Sequence, residues 1–135
     1  MPIMSWKEAY SVGIAEIDQQ HRRLIDLINS LHDAMSKGQA KAVLGKILGD
    51  LASYCANHFA TEEKLFDTHG YQEGPDHKEK HRKMTSKVLA LQQQFEQGKA
   101  TITLDVMEFL QQWLDKHILG TDKKYGPFLN GKGVR

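Results

Sequence analysis

Cysteine, proline and net charge are all scarce in this chain of 135 residues. Its one cysteine, Cys55, cannot form a disulfide within the chain, which agrees with a reducing compartment, and we interpret it as a small core residue. The formal net charge is +1, from 18 basic and 17 acidic residues. A chain so nearly neutral has no strong overall field to attract nucleic acid or anionic lipid. The sequence therefore disfavours a disulfide-stabilised secreted protein and a polyanion-binding protein.

Long apolar runs are also missing. No run approaches the roughly 20 residues that a transmembrane helix needs, and the first ten residues, MPIMSWKEAY, lack the charged-then-apolar layout of a signal peptide. We therefore expect a cytoplasmic protein without stable membrane insertion. A chain of this length fits a single domain, here residues 1–135, because such a domain buries roughly 68–70% of its unfolded surface.

Strand-like alternation is absent, whereas four segments carry apolar residues at helical spacing. They predict helices at about 18–37, 40–69, 75–97 and 103–119. Gly38, Gly98 and Gly120 follow three of them as stop signals, and Pro75 fits a first helical turn. Four comparable amphipathic helices with short connections predict an all-α, up-down-up-down antiparallel four-helix bundle. We expect the first 17 residues, an N-terminal arm, and a short C-terminal tail after Gly126 to be extended or loop segments packed over the bundle.

Histidines occupy positions where the interior of such a bundle should be apolar. His21 precedes Ile28 by seven residues on the first stripe, and His58 and Glu62 are four residues apart, so these two can reach one point. Burying so many imidazoles without partners would cost roughly 1–3 kcal/mol for each unsatisfied group. A metal centre removes that cost. The candidate histidines are His21, His58, His77, His81 and His117.

The number and type of these donors restrict the metal. Imidazole suits zinc, copper, iron and nickel, and carboxylates shift the preference towards harder ions such as iron and manganese. Five nitrogen donors are too many for one tetrahedral zinc, so two ions with bridging carboxylates are favoured. Asp122 is the second candidate carboxylate, although five residues of unbroken α-helix after His117 would turn it about 140° away. We expect the chain to leave the helix at Gly120 and so bring Asp122 inward.

Four segments that span most of the chain resemble the hemerythrin family, and specifically its bacterial branch: DQQHRRL at 18–24, HFATEE at 58–63, HKEKH at 77–81 and WLDKHILGTDKKY at 113–125. The resemblance implies reversible binding of dioxygen at a non-haem di-iron centre with a solvent-derived oxo or hydroxo bridge. It also implies seven iron ligands: His77, His81 and His117 on one ion, His21 and His58 on the other, and Glu62 and Asp122 between them.

The resemblance further implies one open position on the ion with two histidines, where dioxygen, or alternatively nitric oxide, would bind. We expect Leu24, Phe59 and Trp113 to wall that position. The predicted protein is a binding protein and not an enzyme, with a role in oxygen storage, delivery or sensing. Alternatives are a di-iron oxidase or peroxidase, or nitric oxide scavenging. Ferritin-like sites use Glu-x-x-His pairs, and no histidine in this sequence has a glutamate three residues before it.

Three further positions carry expectations. His32 and His69 each lie eleven residues beyond a candidate ligand, which is about 16 Å along a helix, so we interpret both as structural. Gly120 lacks a side chain near the centre, and we expect it to open a path for solvent or gas.

Overall fold

The structure is a computed structural model that describes residues 3–39, 41–98 and 103–135. Four long helices form an all-α, antiparallel up-down-up-down bundle, as the sequence predicts, and the described residues contain no strand. Helix α1 packs against α2 and α4, and α2 packs against α3. The predicted first residue of the second helix, Ala40, lies outside the described residues. The four helices are α1 (Ala15–Ser36), α2 (Lys41–His69), α3 (Gly74–Glu96) and α4 (Leu104–His117).

The helix ends follow the signals in the sequence. Gly38 and Gly98 have positive φ angles of 66° and 75°, a conformation that favours glycine and stops the helix. Pro75 lies in the first turn of α3, where its missing N–H is not needed. At the start of α4 the Thr103 hydroxyl accepts a hydrogen bond from the Val106 N–H at 3.3 Å. The observed helix ends lie within two residues of the predicted ones, except at the start of α1.

The N-terminal arm is more ordered than the sequence predicts. It contains a 3-10 turn at Glu8–Tyr10, and α1 begins at Ala15, three residues before the predicted start. The Asp18 carboxylate lies inside the first turn of α1 and accepts hydrogen bonds from the Ser11 hydroxyl at 2.6 Å and the Val12 N–H at 2.9 Å. The predicted extended arm is therefore a strap fastened to the first helix.

The C-terminal prediction is wrong. Helix α4 ends at His117, a π-helical turn follows at Ile118–Asp122, and the predicted extended tail is a fifth helix, α5 (Lys123–Gly131). Gly126 and Pro127 lower the helix propensity of this segment, but tertiary contacts override them. Tyr125 and Leu129, four residues apart, are fully buried. A Cβ at Gly126 would lie 2.6 Å from the Val12 carbonyl oxygen, so glycine permits α5 to pack on the arm.

The core has two apolar parts on either side of a polar layer. The larger part fills the bundle through residues such as Leu31, Leu48 and Met107, and the smaller part lies at the arm end around Phe66 and Tyr125. None of the helices described combines the length and apolar character that crossing a bilayer requires. The polar layer between the two apolar parts holds the candidate site.

Candidate metal centre

The polar layer brings together all seven side chains that the sequence singles out. Each is buried, with at most 6% of its surface exposed. The side chains form two groups whose potential ligand atoms lie within 4.8 Å of one another. Both carboxylates belong to both groups. The first group is Glu62, His77, His81, His117 and Asp122, and the second is His21, His58, Glu62 and Asp122.

The π-helical turn is what places Asp122. In such a turn the hydrogen bond spans five residues instead of four, and the Lys123 N–H indeed donates to the carbonyl of Ile118. Residues five apart then lie on one face, and the Asp122 Oδ1 is 3.0 Å from the His117 Nε2. The expectation that the helix ends at Gly120 is thus corrected. A Cβ at Gly120 would meet no atom within 4 Å, and the expected path for solvent or gas at this position stays a prediction.

The two carboxylates span the two groups of histidines. Asp122 directs Oδ2 to the His21 Nε2 at 3.0 Å, and directs Oδ1 to the His77 Nε2, also at 3.0 Å. The Glu62 Oε1 is 2.9 Å from the His58 Nε2 and 3.4 Å from the His81 Nε2. Each carboxylate therefore touches both groups, as a ligand shared by two ions must.

These short contacts are not ordinary hydrogen bonds, and they fit a metal site. Two neighbouring ligands at right angles on an ion, with bonds of about 2.1 Å, are about 3.0 Å apart. The observed separations are close to that value, yet most of the atoms have no hydrogen-bond partner. Such buried unpaired polar atoms require an explanation, and coordination supplies one. The unpaired atoms are the Nε2 atoms of His21, His77, His81 and His117 and both carboxylate oxygens of Glu62 and Asp122.

The electrostatics of the layer favour a bound cation. Burial raises the pKa of Asp122, but its contacts with His117, His21 and His77 outweigh burial and hold that pKa well below its ordinary value. Burial and the nearby Asp122 likewise raise the pKa of Glu62, but contacts with His58 and His81 outweigh them, so the net pKa lies below its ordinary value. Both acids are therefore anionic. Among the described residues, the ion-pair contacts of these two carboxylates are all with histidines.

Two further polar residues orient candidate ligands from behind. The His58 Nδ1 donates to the Gln20 side-chain oxygen at 2.6 Å, and the His81 Nδ1 donates to the Glu63 carboxylate at 3.0 Å. Because both acceptors lack a proton to give, each ring keeps its Nε2 lone pair for a metal. Neither contact is predicted from the sequence. The positions of both acceptors next to His21 and Glu62 in the chain are the signal that could have found them.

Two of the three expected pocket residues line one small cavity, and the ring centroid of the third, Phe59, lies 6.0 Å from that of Trp113. Leu24 and Trp113 line a small apolar cavity of about 20 Å³ beside the centre, together with Cys55. Phe59 instead stacks on the His81 ring, with centroids 3.9 Å apart and planes 7° apart. Trp113 also stacks on the His117 ring at 4.3 Å and 13°. Aromatic rings thus fix the orientation of two candidate ligands.

The remaining histidines and Tyr125 lie as follows. His32 and His69 are half-buried and belong to neither ligand group, in agreement with a structural role. Tyr125 is fully buried at the arm end of the layer, and its hydroxyl makes no hydrogen bond of ordinary geometry. Burial, with Glu62 and Asp122 adding to it, holds the pKa of this phenol well above its ordinary value.

The chain matches the family model described as the hemerythrin HHE cation binding domain over residues 12–129. It is 34% identical to the bacteriohemerythrin of Methylococcus capsulatus, covering 96% of this chain and 99% of that protein. It is also 34% identical to the bacteriohemerythrin of Stenotrophomonas maltophilia, over 93% of this chain and 80% of that one.

Solved structures give the same answer for the fold. A wild-type hemerythrin crystal structure superposes with a TM-score of 0.89, at 34% identity, covering 93% of this chain and 96% of that one. A crystal structure of a hemerythrin point mutant superposes with a TM-score of 0.90, covering 94% of this chain and 97% of that one. Sequence, fold and the buried layer of histidines and acids agree, and the chain belongs to the hemerythrin HHE cation-binding family.

Proposed function

We propose that this chain binds dioxygen reversibly at a pair of iron ions held in the polar layer. The observation that carries the proposal is the arrangement of two buried ligand groups that share two carboxylates. Membership of the hemerythrin family and the relatives named bacteriohemerythrin support it. The donor set suits iron, since it combines imidazoles with hard carboxylate oxygens.

The two ions would have unequal surroundings. His77, His81 and His117 would hold one ion and His21 and His58 the other, with both carboxylates shared. The group with His77, His81 and His117 offers five side chains and the group with His21 and His58 offers four, so the ion in the second group would be the one with a position left for dioxygen. When bound, the iron pair supplies two electrons that dioxygen accepts and returns on release.

The protein's own residues would keep this chemistry reversible by excluding water and holding the ligands still. Two ferrous ions, two carboxylates and one hydroxide leave about one net positive charge, which a mostly apolar interior with neutral imidazoles tolerates. Leu24 and Trp113 line the adjacent apolar cavity, and Phe59 covers His81. A cavity of about 20 Å³ has room for one water-sized molecule, and its apolar lining favours a small apolar gas over water.

We propose binding and not catalysis because five of the seven donors are imidazoles. Ferritin-like oxidase sites draw on Glu-x-x-His pairs and more carboxylates. The same open position would accept nitric oxide. Storage, delivery and sensing in the cytoplasm remain the predicted roles.

Removal of one ligand tests the assignment. In His58→Ala we expect the iron content to fall from two ions per chain towards one and the oxygenated spectrum to disappear, because the five-donor ion loses a ligand. His32→Ala removes a half-buried histidine outside both groups and serves as the control, with two ions and a normal spectrum. Unchanged iron content and gas binding in His58→Ala would contradict the assignment.

A further inference from the structure

The outer surface between α3 and α4 carries a groove whose charged lining residues are all basic. The backbones of α3 and α4 approach each other less closely than those of the other neighbouring helices, and the groove lies in the space between them. Four of the residues that line it are basic and none is acidic. By contrast, the groove between α2 and α3 is lined by both signs, including Glu63, Glu79 and Lys78. The basic residues of the α3–α4 groove are Lys80, Arg82, Lys83 and Lys87.

Acidic neighbours pair with two of the four basic residues of this groove, whereas no ion pair is found for Lys83 or Lys87 among the described residues. All four basic side chains are exposed, and residues 80–95 include no acidic residue. Arg82 pairs with Glu79, and Lys80 lies 3.8 Å from Asp76 at the outer edge. Lys87 lies over the Phe109 ring of α4 at 5.1 Å. A local positive surface on a chain with net charge +1 points to a specific acidic partner surface more than to general polyanion binding.

The floor of the groove connects this surface to the candidate metal centre. Trp113 lines the groove and is partly exposed, and its indole stacks on the His117 ring at 4.3 Å. His117 in turn places its Nε2 3.0 Å from the Asp122 carboxylate. One aromatic side chain therefore links the solvent side of the basic groove to a candidate iron ligand without any intervening backbone.

We propose that the α3–α4 groove is the docking site of an acidic one-electron carrier protein that re-reduces the iron pair through Trp113. The inference rests on the proposed function, because only a diferrous centre would bind dioxygen reversibly, and occasional loss of hydroperoxide, which carries away two electrons, would leave both ions ferric. Two reduced carriers each lose one electron and two ferric ions each gain one. An oxo bridge between the two ions would take one proton from solvent and become hydroxo.

Charge reversal tests the docking. The probe is an acidic plant-type [2Fe–2S] ferredoxin, with binding of its oxidised form to the iron-loaded protein measured by calorimetry. We expect Lys83→Glu/Lys87→Glu to weaken this binding by about tenfold or more at low ionic strength, and added salt to weaken wild-type binding. The control, Lys41→Glu/Lys46→Glu, makes the same charge change at exposed positions of α2 and should stay within about twofold of wild type. Equal effects of the two double variants would overturn the proposal.

The electron path has a separate test. Stopped-flow reduction of the diferric protein by reduced ferredoxin gives a bimolecular rate at low carrier concentration and a limiting rate at saturation. Trp113→Leu should lower the limiting rate at saturation severalfold, and Trp113→Phe should restore most of that rate because a stacked ring is kept. A limiting rate in Trp113→Leu equal to that of wild type, at full iron loading, would refute the path.

Two controls separate this inference from the function on which it rests. Iron content and the oxygenated spectrum are recorded for every variant, so absence of both in wild type would refute the proposed function and not the docking. Displacement of ferredoxin by duplex DNA or by anionic vesicles at lower concentration than by unlabelled ferredoxin would reject the carrier and identify the groove as a polyanion site.

Discussion

Removal of the metal should destabilise this protein by an amount comparable to its whole folding free energy. Eight potential ligand atoms of the layer have no hydrogen-bond partner without an ion: four imidazole Nε2 atoms and four carboxylate oxygens. At the lower bound of about 1 kcal/mol for each unsatisfied group, the cost is about 8 kcal/mol. Domains are stable by only about 5–15 kcal/mol, so the apoprotein should be marginal.

Calorimetry of iron-loaded and chelator-treated protein measures this effect. At roughly 2–4 °C for each kcal/mol, we expect the Tm of the apoprotein to be lower by about 15–30 °C, and ferrous iron added without air to restore it. His32→Ala, which leaves the layer intact, should show the same drop on chelation. A difference below about 5 °C would refute the reasoning, because the buried acids and imidazoles would then be satisfied without a metal.

Three further predictions concern single side chains. Glu63→Gln replaces a charged acceptor of the His81 ring by a neutral one, and we expect roughly tenfold weaker iron retention in competition with a chelator, with the apoprotein Tm unchanged. Gly126→Ala should cost about 1–3 kcal/mol in urea unfolding because its Cβ would meet backbone at 2.6 Å, whereas Gly131→Ala meets nothing within 4 Å and should be neutral. Burial and a carboxylate acceptor on α4 raise the pKa of Tyr10 above its ordinary value, so its stabilising effect is full below about pH 10 and is lost as the pH rises further. In Tyr10→Phe the fall in unfolding free energy above pH 10 should be shallower, and an unchanged slope would contradict this.

Periodicity alone located most of the candidate centre. A histidine on an apolar stripe faces the interior whatever its helix packs against, which is why the spacing of His21, His58 and His81 is enough to place them inside the bundle. Because the predicted helices have similar lengths and defined ends, the histidines on their four apolar faces are expected at the same height along the bundle axis. The 3.6-residue repeat defines the inner face of each helix, and the short connections make neighbouring helices antiparallel. Together they predict which residues of the four helices face one point.

The parts that sequence did not predict depend on tertiary contacts. The π-helical turn at Ile118–Asp122 has no strong local sequence signature. What distinguishes it is a tertiary contact, since it places the Asp122 carboxylate beside His117 in the interior. Helix α5 forms against the propensities of Gly126 and Pro127 because the arm offers a surface on which Tyr125 is buried. The acceptors behind the imidazoles likewise depend on neighbouring helices and on side-chain directions that spacing does not specify.

An optical titration of the ferrous-reconstituted protein with dioxygen, scaled to iron measured in the same sample, tests the central claim most directly. Two irons per chain should bind one dioxygen, with a visible band that appears on oxygenation and fades under vacuum over repeated cycles. A fully loaded sample that contains a single zinc, or one whose spectrum does not respond to dioxygen, would contradict the claim.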